Sequence, residues 1–306
     1  MKVVITGAGG LLGHRLAAEA RLAGHETIGV GRAAQRPAGL ACDHWISGDL
    51  ADPRILLPDW EVLGGAAVFH LAADTRIYQP GRDFLRDNVT ATEMACAIAR
   101  RTGGRLVFFS SSAVYSGTRT RRPVALLTEQ DETVPGTAYG RSKLAAEAVI
   151  RHAGIDAVLL RLFGVLSERL AEVPDRGNLV QAILRAHRTG EEVVIATDPD
   201  GTAPVRDYVR DDEVCRVALA VLECAAPTPR VLNLCSGVGT GALEMVAMAG
   251  RAAGSALPVR CEPRASATNA VMVGDPSALR RLLGWSPANR VQEFWGRRFS
   301  RPGPVP

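Results

Sequence analysis

KVVITGAGGLLG, residues Lys2 to Gly13, sets a run of β-forming residues directly against a glycine-rich loop. Gly7, Gly10 and Gly13 are spaced three apart, and the amphipathic stretch HRLAAEARLAG (14–24) follows. In a strand–turn–helix unit of this kind the first glycine permits the tight turn. The second lets the backbone approach a pyrophosphate, and the third lets helix and strand pack closely. The helix N-terminus adds free N–H groups and the positive end of its dipole. A glycine triplet alone is a weak signal, and an incidental turn is the plain alternative. Here the context is complete, so the stretch predicts a dinucleotide site with Gly7, Gly10, Leu11, Leu12 and Gly13 around the phosphates.

Outward from that loop, short apolar runs alternate with helical patterns. Strands are predicted at 27–31, within 44–50, and at 66–73, 105–110 and 157–163, and helices at 88–104 and 139–154. Near-continuous apolar strands alternating with helices argue for a parallel sheet covered on both faces. The expected fold class is α/β, a Rossmann-type doubly wound parallel sheet. After residue 164 the rhythm breaks. Strands are predicted at 191–197 and 230–236 and a helix at 211–225; proline becomes denser near 226–230 and 258–263, and RPGPVP reads as a frayed tail. The expected organisation is a dinucleotide-binding domain over 1–164, a smaller α/β substrate lobe over 165–298, partly interleaved with the last elements of the first domain, and a tail over 299–306.

The C-terminal strand ends of a parallel sheet line one crevice, where ligands of open α/β sheets bind. Asp49, with Leu50 beside it, ends the third strand; Ala72 and Ala73, after Leu71, end the fourth. Small residues there suit close passage of a cofactor. Asp49 could accept from an adenine amino group, although turns use aspartate as readily. At the end of the second strand a carboxylate would bind a ribose 2′-hydroxyl and repel a 2′-phosphate. This chain has Gly31 at that place and Arg32 next, which removes the repulsion and offers a guanidinium to a phosphate. NADP is slightly favoured, with NAD as the alternative. Arg32 facing solvent beside a plain turn is the bland reading.

Arginines number 34 and lysines only two, Lys2 and Lys143. In AYGRSKLAAE (138–147) Lys143 follows Tyr139 by four, so on a helix the two share a face. A phenol with a pKa of about 10 is too weak an acid to serve as a base at neutral pH, and a nearby ammonium stabilises its phenolate. Tyr139 is therefore a candidate acid/base for a hydroxyl or carbonyl while hydride moves at the adjacent carbon. Ser111, just past the fifth strand, would hydrogen-bond the same oxygen. The alternative is a surface lysine beside a half-buried tyrosine.

Composition bounds the remaining classes. Hydrophobic content of 47% and charged content of 22% are those of a soluble globular protein. A net charge of +4 with no interleaved basic and aromatic run argues against a nucleic-acid partner, and the cluster Arg119, Arg121 and Arg122 reads as a solvated loop. Six cysteines form no CxxC pair and no Cys/His metal spacing, so no metal is expected and buried thiols in a reducing compartment are. There is no signal-peptide pattern and no apolar run long enough for a bilayer. A cytoplasmic protein without a membrane partner is expected.

TGAGGLLG, GDL, HLAA, SSSAVYS, YGRSK and RDYV occur in the order seen in extended short-chain dehydrogenases/reductases. More narrowly, the chain resembles the NAD-dependent epimerase/dehydratase family that acts on nucleotide sugars, over most of its length to about Pro287. The resemblance implies a catalytic group of Ser111, Tyr139 and Lys143, with Ser110 and Ser112 as close competitors for the serine and Ser112 as a further substrate contact. It implies that Asn88, opening the helix before the fifth strand, contacts the cofactor. It also implies that Arg206, in DGTAPVRDYV, and Arg264 clamp a substrate diphosphate, and that the protein is a homodimer. A surface arginine is the plain alternative for each of the two.

Two departures bear on activity. Gly164 stands where the family often has an asparagine after RxF, which weakens a conventional nucleotide-sugar grip. Ser112 and Ala113 stand where sugar 4,6-dehydratases have an Asp–Glu pair, and elimination of water needs a second acid/base pair. The expected activity is thus an NAD(P)-dependent nucleotide-sugar epimerase or 4-ketoreductase, ranked above a dehydratase. An NADP-dependent reductase or dehydrogenase of a non-nucleotide small molecule stays open, as does, lower, a non-catalytic dinucleotide sensor.

Overall fold

The computed structural model describes residues 1–52, 63–77, 81–118, 126–173, 177–225, 230–263 and 271–300. The first half contributes β1 (Lys2–Thr6), β2 (Glu26–Gly31), β3 (His44–Ser47), β4 (Ala67–His70), β5 (Leu106–Ser111) and β6 (Ala157–Leu162), with α1 (Leu11–Leu22), α2 (Phe84–Thr102) and α3 (Ala138–His152). Val3 and Ile5 point to one face of β1 and Val4 to the other, and all three are wholly buried. That is what an apolar strand needs when helices cover both faces.

The second half supplies β7 (Gly164–Leu166), α4 (Leu179–Thr189), β8 (Val193–Thr197), β9 (Val205–Arg210), α5 (Asp211–Glu223), β10 (Arg230–Leu234), β11 (Gly239–Gly241), α6 (Ala242–Ala253), β12 (Val259–Pro263), β13 (Val271–Met272), α7 (Ser277–Leu283) and α8 (Val291–Ser300). Seven parallel strands form the main sheet in the order β3-β2-β1-β4-β5-β6-β10. α1 and α5 cover one face, where Leu16, Ala17, Val214 and Val217 meet the sheet. α2 and α3 cover the other, through Ala95, Ile98, Ala146 and Ile150. β9 centres a small sheet with β7, β11 and β13, and β8 pairs with β12. α4, α6 and α8 enclose a second core around Ile183, Val193, Met245 and Trp295. The strand order reverses between β1 and β4, which opens the ligand crevice of such sheets at their C-terminal ends.

The structure corrects three local expectations. α2 begins at Phe84, because the Asp83 side chain accepts a hydrogen bond from the Arg86 N–H at 3.0 Å. Asn88 thus sits a turn inside the helix and does not open it. β9 is a strand where no strand was expected, and α8 runs to Ser300, into the stretch expected as tail. Among the described residues no helix is long and apolar enough to cross a membrane.

Candidate active site

The glycine loop folds as its spacing requires. Gly7 has φ +70°, a left-handed backbone that side chains disfavour, and a Cβ there would lie 2.8 Å from the Ala72 nitrogen. A Cβ on Gly13 would lie 2.3 Å from the Gly7 carbonyl oxygen. β1, α1 and the segment after β4 therefore close on one another. Gly10 caps α1 without a side chain, and the first turn carries no acidic residue. Its N–H groups and dipole remain for an anion.

A cleft of about 960 Å³ opens at these strand ends. Gly7, Gly10, Leu11, Leu12, Gly13, Arg32, Asp49, Leu50, Leu71, Ala72, Ala73, Tyr139 and Lys143 all line it. Asp49 is exposed, with its Oδ1 accepting from the Ala51 N–H at 3.0 Å, the bond of an aspartate turn. Sequence reasoning missed Pro37, Trp45, Asp74, Arg82 and Arg86, which also line the cleft. The last three form tight pairs: nearly buried Asp74 holds both Arg76 and Arg82, and Asp87 holds Arg86. No motif marked them, although the acidic–basic run 82–87 was there to read.

Thr137 caps α3 by accepting from the Gly140 N–H at 3.0 Å, which places Tyr139 in the first turn. Tyr139 is half-buried, its ring edge-on to Phe84 with centroids 6.1 Å apart. Lys143, one turn deeper, is buried; its Nζ donates to the Phe109 carbonyl at 2.8 Å and stands 4.7 Å from the Phe108 ring centroid. Burial lowers Lys143 to a pKa of about 7, with the Glu147 carboxylate pulling the other way. Burial, and then the charge of Lys143, lower His70 to about 3. That ring is neutral, held between Thr6 Oγ1 at 2.8 Å and Thr92 Oγ1 at 3.1 Å.

The three serines part company. Ser110 lines the cleft, but its hydroxyl donates to Glu147 at 2.6 Å. Glu147 also pairs with Arg161 at 2.8 Å; Arg161 donates to the Tyr115 hydroxyl at 2.6 Å, which donates to Asn233 at 3.0 Å. Ser111 ends β5 half-buried, and its Oγ accepts from the Ala113 N–H at 3.1 Å, capping the 3₁₀ turn Ser112–Tyr115. Neither Ser111 nor Ser112 is among the residues lining the cleft.

Asn88 does not line it either, because α2 buries it. Its Oδ1 accepts from the Asp74 N–H at 2.7 Å, and its Nδ2 donates to Ser142 Oγ at 2.9 Å; Ser142 donates in turn to the Tyr139 carbonyl at 2.8 Å. Asn88 thus ties the cleft wall to the turn carrying Tyr139.

A second recess of about 250 Å³ shares Leu11 and Val165 with the first and adds Gly164, Leu170, Val173, Asn178, Leu179, Val180 and Tyr208. Arg206 lines neither recess. It is half-buried on β9 with Nη1 donating to the Val205 carbonyl at 2.9 Å, whereas Tyr208, two residues along, faces the second recess. Arg264 lies outside the described residues. The Gly164 departure has a local reason: a Cβ there would lie 2.6 Å from Tyr208 Cδ1 and 2.8 Å from the Asp207 carbonyl oxygen.

The description "NAD dependent epimerase/dehydratase family" matches residues 3–235. Probable UDP-arabinose 4-epimerase 3 of Arabidopsis thaliana is 29% identical over 79% of this chain, which spans 63% of that relative's length. UDP-glucose 4-epimerase of Bos taurus is 30% identical, with 72% of this chain and 69% of the relative covered. Among solved structures, MoeE5 in complex with UDP-glucuronic acid and NAD superposes with a TM-score of 0.82 at 26% identity, over 97% of this chain and 99% of that one. The chain belongs to the NAD-dependent epimerase/dehydratase family, an enzyme family of the extended short-chain dehydrogenase/reductase type.

Proposed function

We propose that the protein is an NAD(P)-dependent nucleotide-sugar 4-epimerase. One arrangement supports it above others: Tyr139 and Lys143 line the same cleft as the glycine loop, in a chain similar to UDP-sugar 4-epimerases. Residues 1–164 form the dinucleotide domain; 165–298 supply mainly the substrate lobe, lending α5 and β10 to the main sheet. The amides of Gly10, Leu11 and Leu12 hold the pyrophosphate, and Leu50, Leu71, Ala72 and Ala73 wall the nucleoside. The dinucleotide held there would supply the hydride acceptor and donor for the sugar carbinol carbon. Tyr139 accepts the proton of that hydroxyl and gives it back, while the Lys143 ammonium stabilises the phenolate.

Ser111 hydrogen-bonds the reacting oxygen after its turn rearranges, with Ser112 as a further contact. Arg264, and Arg206 once its guanidinium leaves the Val205 carbonyl, hold the diphosphate, and the second recess takes the substrate's nucleotide end. NADP is the favoured cofactor, because exposed Arg32 has no acidic partner among the described residues. That guanidinium also favours a second reading, a 4-ketoreductase consuming NADPH. We place the working enzyme in the cytoplasm and, as the resemblance implies, in a homodimer.

The test is proton NMR on a panel of nucleoside diphosphate sugars deuterated at C4, with NAD and NADP in parallel. The expected result is inversion at C4 with deuterium retained there and no net change in NAD(P)H. Stoichiometric loss of NADPH with a 4-keto sugar nucleotide would select the ketoreductase. Binding of NADP without binding of any nucleoside diphosphate would point to a non-nucleotide substrate.

A further inference from the structure

Trp45 belongs to none of the motifs, yet it lines the cleft beside Gly31, Arg32 and Ala33. It pairs in register with Gly29 of β2. Its indole lies across the two glycines that share that face of β2. A Cβ on Gly29 would stand 3.1 Å from Cε3, and one on Gly31 would stand 2.7 Å from Cη2, against a comfortable carbon–carbon separation of about 3.5–4.0 Å. The ring is anchored. Its Nε1 donates to the Ala33 carbonyl at 3.1 Å, and it packs on the core at the α1 face of the sheet. A side chain on residue 31 therefore meets the ring at its first carbon, in every rotamer, and requires the indole to leave this seat.

We propose that Trp45 acts with Gly31 in dinucleotide specificity, by obstructing position 31 against the carboxylate that would select NAD. This rests on the dinucleotide cleft proposed above. Position 31 is the place from which a carboxylate would bind a ribose 2′-hydroxyl and repel a 2′-phosphate. With the indole over it, that carboxylate has no room, and the neighbouring Arg32 is left to meet a phosphate. Installing that carboxylate thus requires a change in β3 as well as at the end of β2.

The experiment is calorimetric titration of NAD and of NADP into four proteins: wild type, Gly31→Asp, Trp45→Val and the double variant. Wild type is expected to bind NADP more tightly than NAD. Gly31→Asp alone is expected to gain no NAD affinity. The double variant is expected to gain at least tenfold for NAD and lose at least tenfold for NADP. Equal gains for NAD in the single and the double variant would overturn the role of Trp45, as would no gain in the double. Absence of binding of either dinucleotide by wild type would instead overturn the cleft assignment, and Trp45 with it. Should Gly31→Asp not fold, Gly31→Ala serves. It is expected to lower the melting temperature in the wild-type background and not in Trp45→Val; equal melting shifts in the two backgrounds would overturn the proposal.

Discussion

Burial removes the Lys143 ammonium from water, and Glu147 only partly opposes the loss. With two lysines in the chain, its titration can be followed almost alone. In a Lys2→Arg protein carrying 13Cε-lysine, one resonance is expected to titrate with a midpoint near 7. A midpoint near the ordinary 10.5 would contradict the burial. The sign for stability follows. Between pH 7 and 10.5 the unfolded chain keeps a proton that the folded chain has released. The penalty from Lys143 is therefore full below that window and fades as pH rises through it. The gap in unfolding free energy between wild type and Lys143→Met should shrink across the same range; a constant gap would contradict it. The Tyr139–Lys143 pair was legible because a four-residue spacing fixes a helix face. The serine was not, because the cap at Ala113 and the carboxylate of Glu147, both settled by tertiary packing, decide where the hydroxyls of Ser111 and Ser110 go.

At the scale of elements, α3 is fastened to β5 and β6 by a buried ion pair. Glu147 is fully buried between Ser110 and Arg161, and Arg151 reaches it from outside at 2.7 Å. Removing one partner of a buried pair leaves a charge uncompensated, at a cost of about 3–5 kcal/mol. Arg161→Met is expected to lose stability of that order in urea unfolding, and Glu147→Met/Arg161→Met to recover much of it. A loss below about 1 kcal/mol in the single variant, the range of exposed pairs, would contradict the pair's role. Gly13→Ala should lose about 1–3 kcal/mol by overpacking, because its Cβ would meet backbone that cannot rotate away. An unchanged melting temperature would refute the close approach. The central strands β1, β4 and β5 of the main sheet were legible because their runs are apolar on both faces. β9 was not: VRDYVR carries three charged residues, and Asp207 among them is buried only because Ser236, Gly237 and Gly274 donate to it. β7, β11 and β13 have two or three residues each, too few to show a period.

For the whole molecule, the chain leaves the main sheet after β6, builds part of a second core, and returns to add α5 and β10. That return makes the sheet seven strands wide and brings Val165 and Leu11 to the border of both recesses. Strand-by-strand periodicity does not carry such information, since it resides in contacts between distant segments. The glycine loop, the strand ends and the Tyr139–Lys143 spacing led to the cleft through thirteen residues that line it. The family resemblance was a weaker guide to the substrate side, where Arg206 turns to its own strand and Tyr208 faces the recess. The joint arrangement of the two recesses matters only if Tyr139 moves the proton there. The most direct measurement is the turnover of Tyr139→Phe with a nucleotide sugar accepted by wild type, set beside its affinity for NAD(P). A rate lower by at least about a hundredfold, with cofactor affinity nearly intact, is the expected result; an unchanged rate would contradict it.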